Sequence, residues 1–239
     1  FTDYAFVIQP FLYAVENNTP IEWIYFSFEL DRISKEFDFA TYFLFHDFNL
    51  RVIKLPEGVT KGGKNEIELS PDYLRGRMQD DDEKTIKVNP EIFELIKVVY
   101  EKRIIPLFGE YAEDGKQLSK GYITFIEEKD NPTGIYKYLK RHAEKDGKFI
   151  TAKYGNSTRI TGYKPNNPEK YTIIVTDHLR KLIPERGWAM KQTVDKYIEY
   201  SAHPIAAANI HKSPIVKLRF NNKLKSPFII IANTPIKQE

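Results

Sequence analysis

IEWIYFSFE, residues 21–29, is the stretch that decides the fold, and YTIIVTD, residues 171–177, repeats its pattern. Both stretches are rich in β-branched and aromatic residues, which favour buried strands, and both end on an acid, Glu29 or Asp177. Strands that are apolar on both faces are typical of parallel sheets covered by helices. The two stretches therefore predict an α/β protein.

Helical patterns alternate with strands along the rest of the chain. Apolar spacing predicts a helix over 1–15, bent or split at Pro10, and a second helix over 31–48 with Asp31 near its start. Further helices are predicted to begin at Ser70-Pro71, Asn89-Pro90, Asn131-Pro132 and Ala189. Strands are predicted at 51–55, 103–108 and 121–127, and a hairpin over 149–163 that turns at Gly155-Asn156. Three closing strands are predicted at 205–210, 214–220 and 227–233. This order predicts one domain over 1–239, with a largely parallel sheet flanked by helices and antiparallel strands at its C-terminal edge. Because no polar cap precedes Phe1, we expect an upstream segment before it.

Composition removes several classes of chemistry. The 239 residues include no cysteine, which excludes disulfide frameworks, Cys-ligated zinc and thiol nucleophiles. The five histidines lack the spacing of an H-E-x-x-H zinc site, and no G-x-S-x-G motif marks a serine hydrolase. No apolar stretch reaches the ~18 residues of a membrane span, and no signal peptide is recognisable. We expect a cytoplasmic protein without a membrane partner.

The charge is divided unevenly along the chain. Residues 1–130 hold 16 Lys and Arg against 25 Asp and Glu, a balance of −9, whereas residues 131–239 hold 20 against 8, a balance of +12. A basic half favours contact with a polyanion, because neutralised phosphates release counterions. A solvated lysine-rich surface explains the same numbers.

Glu29 and Asp177 are the candidate catalytic pair. Ligands of open α/β sheets bind beyond the carboxyl ends of the strands, where both acids are expected. An apolar strand with a terminal Asp has the form of a Walker B element, whose carboxylate holds Mg²⁺ beside nucleotide phosphates. His178 follows Asp177, so the group that orients the attacking water is expected from the adjacent strand, at Glu29. Either acid alone could instead start a loop or cap a helix.

Three segments resemble DnaB-type replicative helicases, especially the divergent helicases of tailed bacteriophages. The segment 25–30 (YFSFEL) is similar to that family's strand with the catalytic Glu, 173–179 (IIVTDHL) to its Walker B strand, and 213–220 (SPIVKLRF) to a strand near its C-terminus. The resemblance implies a RecA-like P-loop NTPase core that uses ATP and Mg²⁺. It also implies a ring of about six subunits in the host cytoplasm, with single-stranded DNA as substrate and a primase or helicase loader as further partners.

The resemblance assigns roles beyond the two acids. Arg180, Lys181, Arg186 and Lys191 follow the Walker B strand and are candidates to contact DNA, although solvated positions are equally compatible with them. The family places a cation that reaches the neighbouring subunit's γ-phosphate before its last strands, and Lys212 is nearest to that position, with Arg219 as a second candidate.

Two family features have no clear counterpart. The phosphate-binding loop is expected immediately before Phe1, and the near-match GVTKGGKN, residues 58–65, ends in Asn65 and precedes a strand pattern, so we interpret it as a loop. The family's Gln-ended switch strand is expected after His203, where Pro204 follows directly, so a segment is skipped there or that coupling is lost. Two alternatives stay open: a degenerate RecA fold that binds DNA or assembles without ATPase activity, and a RecA-family recombinase.

Overall fold

The structure is a computed structural model that describes residues 3–177, 179–209 and 229–232. The chain forms two compact units: Phe1–Glu29 with Thr124–Glu239, and the inserted stretch Leu30–Ile123. The sequence predicts a single domain over 1–239, and this stays a prediction. Local patterns could not show this division, because it depends on which distant segments pack together.

A four-stranded sheet organises the first unit. Its strands are β1 (Ile21–Ser27), β4 (Ile123–Ile126), β7 (Tyr171–Asp177) and β8 (Ile229–Ala232), in the order β4-β1-β7-β8. The strands β4, β1 and β7 are parallel, and β8 pairs antiparallel with β7. The predicted α/β class, with a parallel sheet and an antiparallel edge, is confirmed.

The opening helix changes its winding near Pro10. A π-helical turn, Tyr4–Ile8, leads into α1 (Gln9–Asn17), and the Gln9 amide donates to the Tyr4 carbonyl five residues back. Pro10 has no N–H for the Phe6 carbonyl, and the Trp23 indole of β1 donates to that carbonyl at 2.8 Å. The predicted split at Pro10 is therefore observed as a π-helical turn tied to the sheet.

The described residues of the first unit also form two further helices and a β-ribbon. Asn131 caps α6 (Pro132–Asp146) by accepting from the Gly134 amide, and α7 is Met190–Asn209. The ribbon consists of β5 (Gly147–Tyr154) and β6 (Ser157–Pro165), as the sequence predicts. The core between sheet and helices consists of Ile24, Phe26, Phe28, Ile135, Leu139, Ile174, Leu179, Leu182 and Tyr197.

Most of the regular elements of the inserted unit are helical. Its elements are α2 (Arg32–Phe48), β2 (Val52–Lys54), β3 (Glu66–Glu68), α3 (Pro71–Leu74), α4 (Pro90–Val99), a π-helical turn (Tyr100–Ile104) and α5 (Ile105–Phe108). Asp31, Ser70 and Asn89 cap α2, α3 and α4, each where the sequence places a helix start. Buried Phe39 and Phe108 lie 5.4 Å apart between ring centroids in its core.

Two predicted strands are helical instead. Residues 103–108 were expected to form a strand, but they continue the helix from Pro90 through the π-helical turn into α5. Pro106 lacks an N–H, and the wider turn before it accommodates this loss within the helix, as at Pro10. Residues 205–209 of the first predicted closing strand belong to the end of α7. The second, 214–220, lies outside the described residues.

Candidate functional site

Glu29 and Asp177 lie at the same edge of the sheet. Strands β1 and β7 are adjacent and parallel, and Ser27 is in register with Asp177. Asp177 is 3% exposed, whereas Glu29, two residues beyond Ser27, is exposed. The pairing therefore brings one buried and one exposed carboxylate to the carboxyl ends of two neighbouring strands.

Buried residues anchor the chain next to both acids. Phe28, between Ser27 and Glu29, is 2% exposed and packs in the core with Leu179 and Leu182, which follow Asp177. Just before Asp177, the buried Thr176 hydroxyl hydrogen-bonds the Tyr197 hydroxyl of α7. Because Asp177 lies between the buried residues Thr176 and Leu179, it has few conformations to lose when a ligand binds.

The strand order creates a topological switch point at the carboxyl ends of β1 and β7. The chain leaves β1 and returns to the sheet as β4 on one side of β1, whereas β7 and then β8 lie on the other side. Connections that leave neighbouring strands in opposite directions open a crevice at their carboxyl ends, which is where open α/β sheets bind ligands. By this rule the place to look for a ligand site is between the carboxyl ends of β1 and β7, beside both acids.

The donor chemistry of this edge suits a hard cation. Asp177 and Glu29 offer carboxylate oxygens, and Ser27 offers a buried hydroxyl, in register with Asp177. Mg²⁺ is bound through one or two carboxylates together with water and substrate phosphates, rather than by a complete protein cage. The residue types at these two strand ends are therefore ones that Mg²⁺ accepts as ligands.

The predicted basic residues follow β7 directly. Arg180 and Lys181 belong to a 3₁₀ turn (Leu179–Lys181), Arg186 lies in the following loop, and Lys191 lies in the first turn of α7. Lys181, Arg186 and Lys191 are exposed. The Arg180 side chain, Lys212 and Arg219 lie outside the described residues, so the trans-acting cation stays a prediction.

The loop after β7 is tied to the start of α6. Glu185 accepts from the Thr133 amide at 3.1 Å, and the Ile183 amide donates to the Asp130 carbonyl at 3.2 Å. Because the first turn of a helix has unpaired N–H groups, a carboxylate is a favourable partner for it. These contacts position the exposed cations of the loop.

The glycine-rich segment 58–65 binds a carboxylate of its own chain. The amides of Gly62 and Gly63 donate to the two carboxylate oxygens of Asp81 at 2.6 and 3.0 Å, and the Thr60 hydroxyl donates at 2.7 Å. These bonds, the one from Gly63 foremost, lower the pKa of Asp81. Because Asp81 engages the amides that a phosphate would need, the interpretation of this segment as a loop agrees with the structure.

A second polar group, which the sequence analysis missed, lies at the amino ends of β1 and β7. Glu22 accepts from Lys170 at 2.9 Å and from Thr172 at 2.8 Å, and its carboxylate lies 2.8 Å from the His142 ring. Lys170 also donates to Asp146 at 2.6 Å. We call these five residues the Glu22 cluster. The spacing of His142 and Asp146, four apart on α6, was the only sequence signal for it.

The Glu22 cluster already contains its cation. Burial alone would raise the pKa of Glu22, but the hydrogen bonds from His142 and Lys170 outweigh it and lower that pKa to about 2. Ligand atoms of Glu22, His142 and Asp146 lie within 4.8 Å of one another, close enough for a metal, but the Lys170 ammonium bridges both carboxylates. We therefore interpret the cluster as an ion-pair network at the end of the sheet opposite Asp177.

Comparison with protein-family models, with curated proteins and with solved structures finds no match to this chain. The family resemblance therefore rests on the motifs at 25–30, 173–179 and 213–220. Within the part of the chain that the structure describes, no helix is long and apolar enough to span a bilayer.

Proposed function

We propose that this chain is the RecA-like core of an ATP-dependent replicative DNA helicase, which hydrolyses ATP at subunit interfaces to translocate on single-stranded DNA. The observation that carries the proposal is the parallel pairing of β1 with β7, in which Ser27 is in register with Asp177. A nucleotide in the crevice between these strands would meet both acids at once. The ring of about six subunits follows from the family resemblance.

The two acids take different roles because their environments differ. Asp177, buried at the strand end, would hold the metal ion. Glu29, exposed two residues beyond β1, reaches the crevice and orients the attacking water. The chemistry that Mg²⁺ would supply here is to offset the negative charge that develops on the phosphate oxygens. Lys212 of a neighbouring subunit is the proposed cation at the γ-phosphate.

DNA contact is proposed at the loop between β7 and α7. Its exposed cations, Lys181, Arg186 and Lys191, follow the metal-binding strand within fourteen residues. A movement of β7 on nucleotide binding or hydrolysis would therefore reach, over a short stretch of chain, the cationic side chains that can bind DNA phosphates. Arg180 completes this set.

Steady-state ATP hydrolysis, with and without single-stranded DNA, tests the proposal. Glu29→Gln should lower turnover by roughly 10²- to 10⁴-fold, the usual contribution of a positioned acid or base, and leave nucleotide affinity within a few-fold of wild type. Asp177→Asn should weaken binding of Mg·ATP as well as turnover. Two exposed acids, Glu16 of α1 and Asp195 of α7, provide matched controls as Glu16→Gln and Asp195→Asn.

Full turnover in Glu29→Gln would remove Glu29 from the mechanism. Circular dichroism must show that each variant folds, because Asp177 is buried. One alternative is a RecA fold that binds DNA without hydrolysis. That alternative predicts DNA binding with no ATP turnover in the wild-type chain.

A further inference from the structure

The ribbon formed by β5 and β6 carries charge of a single sign. Its residues 147–165 include four basic side chains, Lys148, Lys153, Arg159 and Lys164, and no Asp or Glu. Between Lys148 and Tyr154 the ribbon extends about 20 Å at ~3.3 Å per residue. The ATP hydrolysis proposed above uses no residue of this ribbon.

Cross-strand pairing sorts the ribbon into two faces. Residues directly opposite each other on two paired strands have their side chains on the same face of the ribbon. One face is formed by four such pairs: Lys148 with Lys164, Ile150 with Gly162, Ala152 with Arg159, and Tyr154 with Ser157. The register shifts by one residue at Thr161, as in a β-bulge, and Arg159 therefore lies on the same face as Gly162 and Lys164. We call Lys148, Ile150, Tyr154, Arg159 and Lys164 the outer face.

The other face attaches the ribbon to the first unit. Phe149 and Tyr163 pair across the strands with ring centroids 5.3 Å apart, and both are half-buried. The Tyr163 hydroxyl donates to the Ala143 carbonyl of α6 at 2.9 Å. These contacts hold the base of the ribbon, and all five residues of the outer face are exposed.

The outer face combines apposed cations with an exposed aromatic ring. Lys148 and Lys164 lie directly opposite each other, an arrangement of like charges that destabilises a ribbon unless an anion lies between them. Nearer the turn, the Arg159 guanidinium lies 5.6 Å from the centroid of the Tyr154 ring, and Tyr154 is 57% exposed. Ile150, 54% exposed, lies between the two groups.

We propose that the outer face of the ribbon binds single-stranded nucleic acid, with phosphates at Lys148, Lys164 and Arg159 and a base stacked on Tyr154. Charge complementarity favours a polyanion, and the exposed ring favours one that has unpaired bases. Two-stranded ribbons are an established way to present side chains to nucleic acid. This surface is distinct from the loop at 180–191, and its binding does not require hydrolysis.

Anisotropy of a fluorescent 20-mer of deoxythymidine, measured without nucleotide across a salt series, tests the electrostatic part. The variant Lys148→Gln/Arg159→Gln/Lys164→Gln should lower the slope of log affinity against log salt by about 2, since each lost phosphate contact on a single strand removes ~0.7. The control Lys54→Gln/Lys87→Gln/Lys102→Gln removes three exposed lysines of the inserted unit and should keep the wild-type slope.

Tyr154 tests the stacking part. Tyr154→Ala should weaken the 20-mer by roughly 5- to 150-fold, the range of one lost base stack, while Tyr154→Phe retains the ring and should bind as wild type does. An abasic 20-mer should not distinguish Tyr154→Ala from wild type.

An unchanged salt slope in the triple variant, or an unchanged affinity in Tyr154→Ala, would overturn the inference. So would a triple variant that loses binding to phosphatidylserine vesicles while its affinity for the 20-mer is retained, since the face would then recognise lipid headgroups. Because ATP is absent from these measurements, a wild-type chain that lacks ATPase activity leaves their outcome unaffected.

Discussion

Replacing Glu22 by Gln tests what the Glu22 cluster contributes to the stability of the first unit. The side chain is 15% exposed and lies 2.8 to 2.9 Å from its partners His142, Lys170 and Thr172. A Gln has nearly the same shape and can still accept from the Thr172 hydroxyl, but it carries no charge for Lys170. The substitution therefore removes the negative charge and replaces the oxygen that accepts from Lys170 by an amide NH₂, which cannot accept.

The size of the effect follows from the pKa of Glu22. Its fall from 4.5 to about 2 means that the folded protein favours the ionised form, and at 1.36 kcal/mol per pKa unit this amounts to about 3 kcal/mol. Because the folded-state pKa lies below the unfolded one, this stabilisation is complete above about pH 5. It is lost as the pH falls through 4.5 towards 2.

Urea unfolding at a series of pH values measures this contribution. Trp23 is fully buried beside Glu22 in β1 and reports on the first unit, and Trp188→Phe removes the second tryptophan. At pH 7 we expect Glu22→Gln to lower the free energy of unfolding by about 2 to 3 kcal/mol, which moves the midpoint by roughly 1 to 2 M urea. Near pH 2 the two proteins should unfold at the same midpoint.

The control is Glu16→Gln, which removes one exposed carboxylate from α1 of the same unit. It should follow the wild-type pH profile within about 0.5 kcal/mol. If Glu22→Gln also ran parallel to wild type from pH 7 to pH 2, the ionised cluster would have no stabilising role, and the assignment of Lys170 as its internal cation would fail.

Two further substitutions test other parts of the fold. Asp81→Ala should speed hydrogen exchange at the Gly62 and Gly63 amides, since it removes their acceptor, while Asp82→Ala should not; equal protection in both variants would contradict the assigned bonds. Because the pKa of Asp81 is lowered, its carboxylate stays ionised at pH values below those at which carboxyl groups usually titrate. Protection of the two amides in the wild-type protein should therefore persist to the same low pH. Gly147→Ala should destabilise the first unit by about 1 to 3 kcal/mol in thermal unfolding, because its Cβ would lie 2.5 Å from the Lys164 carbonyl oxygen; an unchanged midpoint would refute that steric constraint.

Local signals in the sequence predicted most of the elements correctly. Asp31, Asn89 and Asn131 each accept from a backbone amide at the start of a helix, where a polar side chain followed by helical spacing indicated one. The ribbon turns at Gly155-Asn156, and Gly155 has the positive φ that this turn requires. The same local reasoning failed at 103–108, where an apolar, β-branched run lies in a helix that the preceding segment had already begun.

The candidate site divides in the same way. The sequence alone determined that Glu29 and Asp177 each follow a buried strand, because that pattern is written in adjacent residues. Only the tertiary structure decided that the two strands are neighbours in register, that Asp81 engages the amides of Gly62 and Gly63, and that Glu22 meets His142 across 120 residues. Strand ends and helix caps depend on a few consecutive residues, whereas register and ion pairs depend on which distant segments fold against each other, and no local pattern encodes that choice.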